Sequence, residues 1–173
     1  MRIAIVGAQG TGKTTLANDL LKLLPDYRLL PEVARMAADL GFSLDKEITL
    51  ETEIWIAAKQ YEMEQSCGPN WIADRSFIDL YGYLKVLFPE NDWILRLCKQ
   101  LMRPYDIIVF CPIGEFPIVD DGLRNTDIYF QRQIHSAIRD FLNETGLTYF
   151  EVKGDPAQRA AQILPLIKMY EAR

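Results

Sequence analysis

Gly7-Ala8-Gln9-Gly10-Thr11-Gly12-Lys13-Thr14-Thr15 follows directly on the apolar run Ile3-Ala4-Ile5-Val6 and opens an amphipathic stretch ending near Leu24. The segment fills every fixed position of the pattern G-x-x-x-x-G-K-[ST], with a strand predicted before it and a helix after it. Gly7 and Gly12 permit backbone angles and close approaches that a side chain obstructs, so successive amide N–H groups can converge on an anion. The helix that begins here aims its positive dipole end at the same point. Lys13 supplies a charge for the β- and γ-phosphates of a nucleoside triphosphate, and Thr14 a hydroxyl for Mg²⁺. Gly7, Gly10, Thr11, Gly12, Lys13, Thr14 and Thr15 are therefore the expected nucleotide-binding set, with ATP and Mg²⁺ as expected cofactors.

A chain of 173 residues, 49% of them hydrophobic, predicts a single domain over 1–173 with a substantial core. Its net charge of −5 argues against a surface for nucleic-acid backbones, which requires clustered Lys and Arg. No apolar run approaches the roughly 18 to 20 residues that cross a bilayer, and the first residues read as a strand rather than a signal sequence, so a cytoplasmic protein is expected. Cys67, Cys98 and Cys111 are widely spaced and fit no metal pattern; they read as reduced, mostly buried thiols. The oligomeric state stays open.

Strand and helix patterns alternate along the chain, which predicts a parallel sheet covered on both faces. Strands are expected at Arg2 to Val6, Tyr27 to Leu30, Trp71 to Asp74, Asp106 to Phe110 and Thr148 to Val152. Helices are expected at Lys13 to Leu24, Glu32 to Leu40, Thr49 to Ser66, Phe77 to Leu87, Asp92 to Met102, Asp127 to Glu144 and Asp155 to Tyr170. In the third of these, Leu50, Ile54, Ala57, Ala58, Tyr61 and Gln65 share a face that reads mostly as core, leaving Trp55 and Met63 outside it. The aperiodic stretch with Gly and Pro at 112–126 is an expected lid.

Ligands of open α/β sheets bind beyond the carboxyl ends of the strands. Three strand ends carry suitable groups: the phosphate loop, Pro31-Glu32-Val33-Ala34-Arg35, and Asp74-Arg75-Ser76. Asp74 closes an apolar strand, as an acid placed near Mg²⁺ does, so Thr14 and Asp74 are the candidate metal residues. The competing reading of Asp74 is a cap for the following helix, but Ser76 can take that part and release it. The fourth strand ends in Phe110-Cys111-Pro112 without an acid, which points toward kinases that use an Asp-Arg pair.

GAQGTGKTT, PEVAR at 31–35, DRSFIDLYGYL at 74–84 and DDGLRNTDIYFQRQI at 120–134 together resemble the small P-loop kinases related to the nicotinamide-nucleotide (ribosylnicotinamide) kinase domain, grouped with AAA-like ATP-binding proteins. PEVAR and DRS also resemble segments of deoxynucleoside kinases, which usually carry Glu at the position of Asp74 and an extra Pro before Val33. The resemblance implies that Glu32 contacts an acceptor hydroxyl and that Arg75 contacts phosphate or substrate.

Residue chemistry bears on the same positions. A carboxylate such as Glu32 is suited to orient an attacking hydroxyl and take its proton, although a Glu at a helix start also favours the macrodipole. Arg35, one turn on, can bind an anionic part of the acceptor or form a salt bridge. Arg124 in the lid, and Arg132 on the next helix, can close on the transferring phosphoryl group; His135 and Arg139 read as a solvated face. Asp120 and Asp121 fit either Mg²⁺ or a hydrated loop. The Lys153-Gly154-Asp155-Pro156 turn is where related kinases pass the nucleotide base.

The expected fold is thus a P-loop NTPase three-layer α/β sandwich with a five-stranded parallel sheet of order 2-3-1-4-5. Its expected activity is transfer of the γ-phosphoryl of Mg·ATP to a nucleoside-like hydroxyl, with Lys13, Glu32, Asp74 and Arg124 catalytic and Glu32, Arg35, Arg75 and Arg132 on the substrate. Two alternatives stay open: a nucleoside monophosphate kinase, or an NTP-dependent regulatory ATPase without a small acceptor, whose Thr49 to Ser66 helix is a partner surface.

Overall fold

The computed structural model describes residues 1–44, 48–119 and 126–172. At its centre lies β1 (Arg2–Val6), paired in parallel with β3 (Trp71–Asp74) on one side and β4 (Ile107–Phe110) on the other. Strand β2 (Arg28–Leu30) extends the sheet beyond β3, and β5 (Phe150–Glu151) extends it beyond β4, giving the order β2-β3-β1-β4-β5. Strands β3 and β4 are buried along their whole length, which explains why they read as nearly unbroken apolar runs rather than alternating ones.

The pleat of β1 divides the core. Ile3 and Ile5 point to the face covered by α1 (Lys13–Leu23) and α7 (Pro156–Glu171), where they meet Leu16, Leu20, Ile163 and Ile167. Ala4 and Val6 point to the other face, where α2 (Val33–Asp39), α3 (Leu50–Ser66), α4 (Phe77–Leu87), α5 (Asp92–Leu101) and α6 (Ile128–Thr145) contribute Val33, Ile56, Phe77, Leu84, Ile94, Ile134 and Ile138. Three layers result. Helices α4 and α6 come so close that a Cβ on Gly82 would stand 2.5 Å from Ile138 Cγ1. Only glycine fits there without displacing a packed side chain.

Helix boundaries follow local capping chemistry. The Thr49 hydroxyl accepts from Thr52 N at the start of α3, and Asp127 accepts from Tyr129 N at the start of α6. Ser76 with Asp79, and Asp155 with Gln158, form reciprocal capping boxes for α4 and α7. Most expected elements lie within a residue or two of their sequence-predicted bounds; β5 keeps only Phe150 and Glu151 of the expected Thr148 to Val152.

The largest departure concerns α3. Its buried residues are Thr52, Glu53, Ile56, Ala57, Gln60 and Glu64, whereas Ile54 and Tyr61, expected in the core, are 38% and 39% exposed. Trp55 and Met63, expected outside, pack against the core, and the Trp55 ring lies 5.4 Å from that of Phe42. Apolar residues are spread around this helix, so periodicity does not select one face; tertiary packing selects a polar one. Part of its cost is offset by hydrogen bonds from Gln60 Nε2 and Tyr105 Oη to Glu64 Oε1.

Among the described residues the cysteines are free, with Cys98 and Cys111 buried and Cys67 half-buried. No helix is long and apolar enough to cross a membrane.

Candidate active site

The phosphate loop leaves β1 through Gly7, whose φ is 147° and whose absent Cβ would stand 2.4 Å from the Cys111 carbonyl oxygen. That approach is possible for glycine alone. Gly10 and Gly12 also take positive φ, 71° and 81°, and Gly12 is the N-cap of α1. Lys13 is buried, and its ammonium donates to Ala8 O at 2.6 Å, with Thr11 Oγ1 at 3.5 Å. Burial lowers its pKa to about 8; Arg75 pushes the same way, while Asp79, Asp74 and Glu32 oppose it. Thr14 and Thr15 are exposed at the mouth.

Asp74 is not a helix cap, since Ser76 caps α4, and its Oδ2 accepts from the Thr14 hydroxyl at 2.6 Å. Its other oxygen, Oδ1, is buried with no hydrogen-bond partner among the described residues. Burial raises the Asp74 pKa, with Lys13 opposing. A hydroxyl and an under-satisfied carboxylate at the end of the phosphate loop form an oxygen donor set that fits Mg²⁺, an ion bound by one or two carboxylates together with substrate phosphates.

Glu32 and Arg75 come together from two strand ends. Arg75 Nε stands 2.6 Å from Glu32 Oε1 and Arg35 Nε 3.3 Å from Glu32 Oε2, while the Arg75 guanidinium lies 5.0 Å from the centre of the Tyr83 ring. Glu32 occupies the N-cap position of α2 without capping it; its buried carboxylate faces the arginines instead. Arg75 is the only non-glycine residue with positive φ among those described, at 81°. Backbone strain of this kind is tolerated where surrounding contacts fix the side chain. Burial opposes the charge on Arg75, but Glu32, Tyr83 and Asp79 more than offset it and leave its pKa raised.

Between this pair and the inner face of α3 lies a pocket of about 340 Å³. Glu32, Arg75 and Gln9 form its polar end, Ile56, Leu80, Tyr83 and Phe130 its apolar walls, and Glu53 and Gln60 line it from α3. Its volume and lining suit a small molecule with an apolar body and polar groups at its ends.

Three residues that organise this site, Asp79, Gln9 and Arg159, were not found in the sequence. Asp79, 1% exposed, accepts from Gly7 N and Ser76 N, both at 2.9 Å, and so ties the phosphate loop to α4. The Ser76-x-x-Asp79 spacing was its available signal. Gln9 accepts from Tyr83 Oη through its side chain and from Gln131 Nε2 through its backbone, linking loop, pocket and α6. Arg159, also 1% exposed, donates to Thr11 O at 2.6 Å and to Gly154 O at 3.0 Å, with its guanidinium 4.5 Å from the centre of the Phe116 ring. It braces the phosphate loop against the turn after β5. Gly154 N in that turn already donates to Glu115 Oε2, so a base contacting this backbone would displace Glu115.

Arg132 is not brought to the phosphate loop. It is exposed in a separate surface depression with Tyr81, Lys85 and Tyr129, and Gln131 holds the loop-facing position. Adjacent helical positions differ by about 100° in direction, so a shift of one residue exchanges the two. Arg139 pairs with Glu151 at 2.7 Å and lies against Phe110, and His135 is half-buried on the same ring. Arg124, Asp120 and Asp121, with the rest of 120–125 in the expected lid, lie outside the described residues.

The sequence profile of the AAA domain family matches residues 2–159. No curated protein matches the chain. Among solved structures, the chain is similar to deoxyadenosine kinase from M. mycoides with products dCMP and dCDP bound, at 16% identity, TM-score 0.77, and coverage of 98% of this chain and 100% of that one. It is similar to NadR in complex with NAD and AMP-PNP, at 17% identity and TM-score 0.79, with 99% of this chain spanning 49% of that one. It is also similar to thymidylate kinase from Ehrlichia chaffeensis, at 14% identity, TM-score 0.72, and coverage of 96% and 98%. At these identities the likeness concerns the fold. The chain belongs to the AAA domain family, on the three-layer fold shared with small P-loop kinases.

Proposed function

We propose that this protein is a P-loop phosphotransferase that moves the γ-phosphoryl group of ATP to a hydroxyl of a small nucleoside-like acceptor. The observation that carries this reading is the meeting of phosphate loop and pocket at one polar end, where Glu32 is held by Arg75 at 2.6 Å. A regulatory ATPase has no need of a lined, partly apolar pocket beside the loop. Deoxyadenosine kinase with dCMP and dCDP bound, and NadR in complex with NR, lend support by fold.

In this reading the loop amides and Lys13 bind the β- and γ-phosphates, and Asp79 and Arg159 hold the loop in shape. Thr14 and Asp74 would hold Mg²⁺, which would neutralise charge on the phosphates. The acceptor hydroxyl lies against Glu32, which orients it and takes its proton as the oxygen attacks the γ-phosphorus and the bond to the β-phosphate oxygen breaks. Arg75 fixes the Glu32 carboxylate and stands beside the developing phosphoryl charge.

Formation of ADP from ATP, measured with and without a panel of nucleosides and nucleoside monophosphates, tests the class. Acceptor-dependent turnover on nucleosides is expected. Turnover indifferent to every acceptor identifies an ATPase, and turnover on monophosphates alone identifies a nucleotide kinase. Glu32→Gln tests the mechanism: transfer is expected to fall on the order of 10²-fold or more while ATP affinity stays within a few-fold, because an amide cannot act as the base. Full transfer by this variant removes Glu32 from the chemistry.

A further inference from the structure

Glu53 sits in the first turn of α3 and is 2% exposed; its backbone N donates to Thr49 O, yet no hydrogen bond or ion pair to its carboxyl group is found among the described residues. It lines the pocket. A buried carboxyl without a partner is costly, and native chains seldom leave one where nothing will use it. Its neighbour on the same wall is in the opposite state: the Gln60 amide is oriented by donating to Glu64 Oε1 at 2.8 Å. Glu53 and Gln60 stand two helical turns apart, about 10 Å along the axis, with Ile56 between them. The wall therefore presents a polar group at each end of an apolar floor, with the ring of Tyr83 and the side chains of Leu80 and Phe130 also lining the pocket.

We propose that Glu53 determines acceptor specificity by hydrogen-bonding, as a neutral carboxylic acid, to a planar group that carries an N–H donor next to a lone-pair acceptor. A neutral carboxyl offers one O–H and one C=O side by side, so it forms two hydrogen bonds with an amidine-like edge, such as that of an aminopyrimidine or aminopurine, or with a carboxamide. A carboxylate offers acceptors only and would select two adjacent donors instead. Burial favours the neutral form, pushing the Glu53 pKa up to about 8 against the pull of Arg75. Around it, among the described residues, are Glu32 ahead of α2, Arg75 from the β3–α4 turn, Asp79 and Tyr83 from α4, and the Cys98 thiol on α5. Only Arg75 acts appreciably to ionise it.

This inference rests on the pocket being the acceptor site, and the experiment separates the two. Cytidine, adenosine and nicotinamide riboside serve as donor–acceptor probes, and C-phenyl riboside has no polar edge. Binding by calorimetry and phosphoryl transfer from Mg·ATP are measured for wild type, Glu53→Gln and Glu53→Leu. Wild type is expected to prefer its best donor–acceptor probe to C-phenyl riboside by about 100-fold at pH 7, as sites built to hydrogen-bond reject analogues lacking the group. In Glu53→Leu the preference should vanish, with KM raised on the order of 30-fold or more and kcat changed less than about 3-fold, since the lost contact is uniform binding. Glu53→Gln retains a donor and an acceptor and should keep the preference at both pH 7 and pH 9, whereas wild type should lose it by pH 9. Preference unchanged in Glu53→Leu overturns the proposal, as does its loss in Glu53→Gln. So does a wild type that binds no donor–acceptor probe more tightly than C-phenyl riboside. The Glu53-dependent binding pattern without any transfer upholds the proposal and overturns the kinase reading instead.

Discussion

Lys13 in the phosphate loop and Glu53 on the pocket wall are both buried ionisable side chains, and the protein treats them differently. Lys13 has acceptors supplied by its own loop, and Asp79 and Asp74 oppose the loss of its charge. The Glu53 carboxyl has no hydrogen-bonding partner among the described residues and is pushed toward its neutral form. The loop is thus organised before nucleotide arrives, so that little reorganisation accompanies phosphate binding. The α3 wall leaves its polar group for a ligand to satisfy. The loop is built for a charge known in advance; the wall is built to discriminate.

Removing the charge in the organised loop should give the largest effect. Lys13→Ala is expected to lower phosphoryl transfer on the order of 10³-fold or more, because the lost cation acts on charge that grows in the transition state. The fold should survive: Lys13 donates to loop oxygens and contributes little apolar area, so thermal unfolding should stay within a few degrees of wild type. Turnover and unfolding measured on one sample decide it. Near-normal turnover in folded protein would erase the contrast between loop and pocket wall and remove the loop from the chemistry.

How much of each region could be read from the sequence follows from the same contrast. The loop is a local object: Gly7, Gly12, Lys13 and Thr14 are fixed by spacing along one strand-to-helix turn, so pattern alone identified them. Glu32, Asp74 and Arg75 were legible as candidates because each lies at or just beyond the end of a strand whose apolar run marks where it stops. Arg159 was not, since it reaches Thr11 across 148 positions and nothing local distinguishes it from a helix-surface arginine. Arg132 was expected at the phosphoryl group because its charge suits phosphate, while the phase of α6 is set by packing against α4 and turns Gln131 toward the loop. The polar face of α3 was hidden for a related reason. A carboxylate on a helix reads as solvated until other elements close over it, and that closure is tertiary.

A stability measurement sharpens the comparison from the Glu53 side. The ordinary value for a glutamate is 4.5, and in the folded chain Glu53 holds its proton up to about 8. Between those values the folded state binds more protons than the unfolded state, so stability contributed at this position falls as pH rises. Glu53→Gln does not titrate. The variant should therefore gain on wild type from pH 5 to pH 8, by about 2 to 4 kcal/mol, and the gap should level off above pH 9. Asp74 and Asp79, which burial also raises, titrate in both proteins and cancel in the difference. Denaturant unfolding at four pH values reads this directly. A gap that is flat with pH means that Glu53 is ionised and hydrated, and the contrast with Lys13 disappears.

The smallest expected effect belongs to Lys13 itself and concerns protons rather than turnover. Burial and Arg75 hold its pKa down at about 8 in the free protein. A bound triphosphate places several negative charges around the ammonium and returns its pKa toward the usual lysine range. Above pH 8 most of the free population is neutral, so ATP binding must be accompanied by proton uptake, roughly three-quarters of a proton per site at pH 8.5. The apparent affinity should accordingly weaken several-fold between pH 7.5 and pH 9, losing strength as pH rises because the competent form is the protonated one. Calorimetric titrations in two buffers of different ionisation enthalpy give the number of protons taken up. Lys13→Arg, whose guanidinium stays charged throughout this range, should show none whatever its affinity. Zero uptake by wild type at pH 8.5 would mean that the loop keeps Lys13 fully charged without nucleotide, and that its surrounding carboxylates outweigh burial.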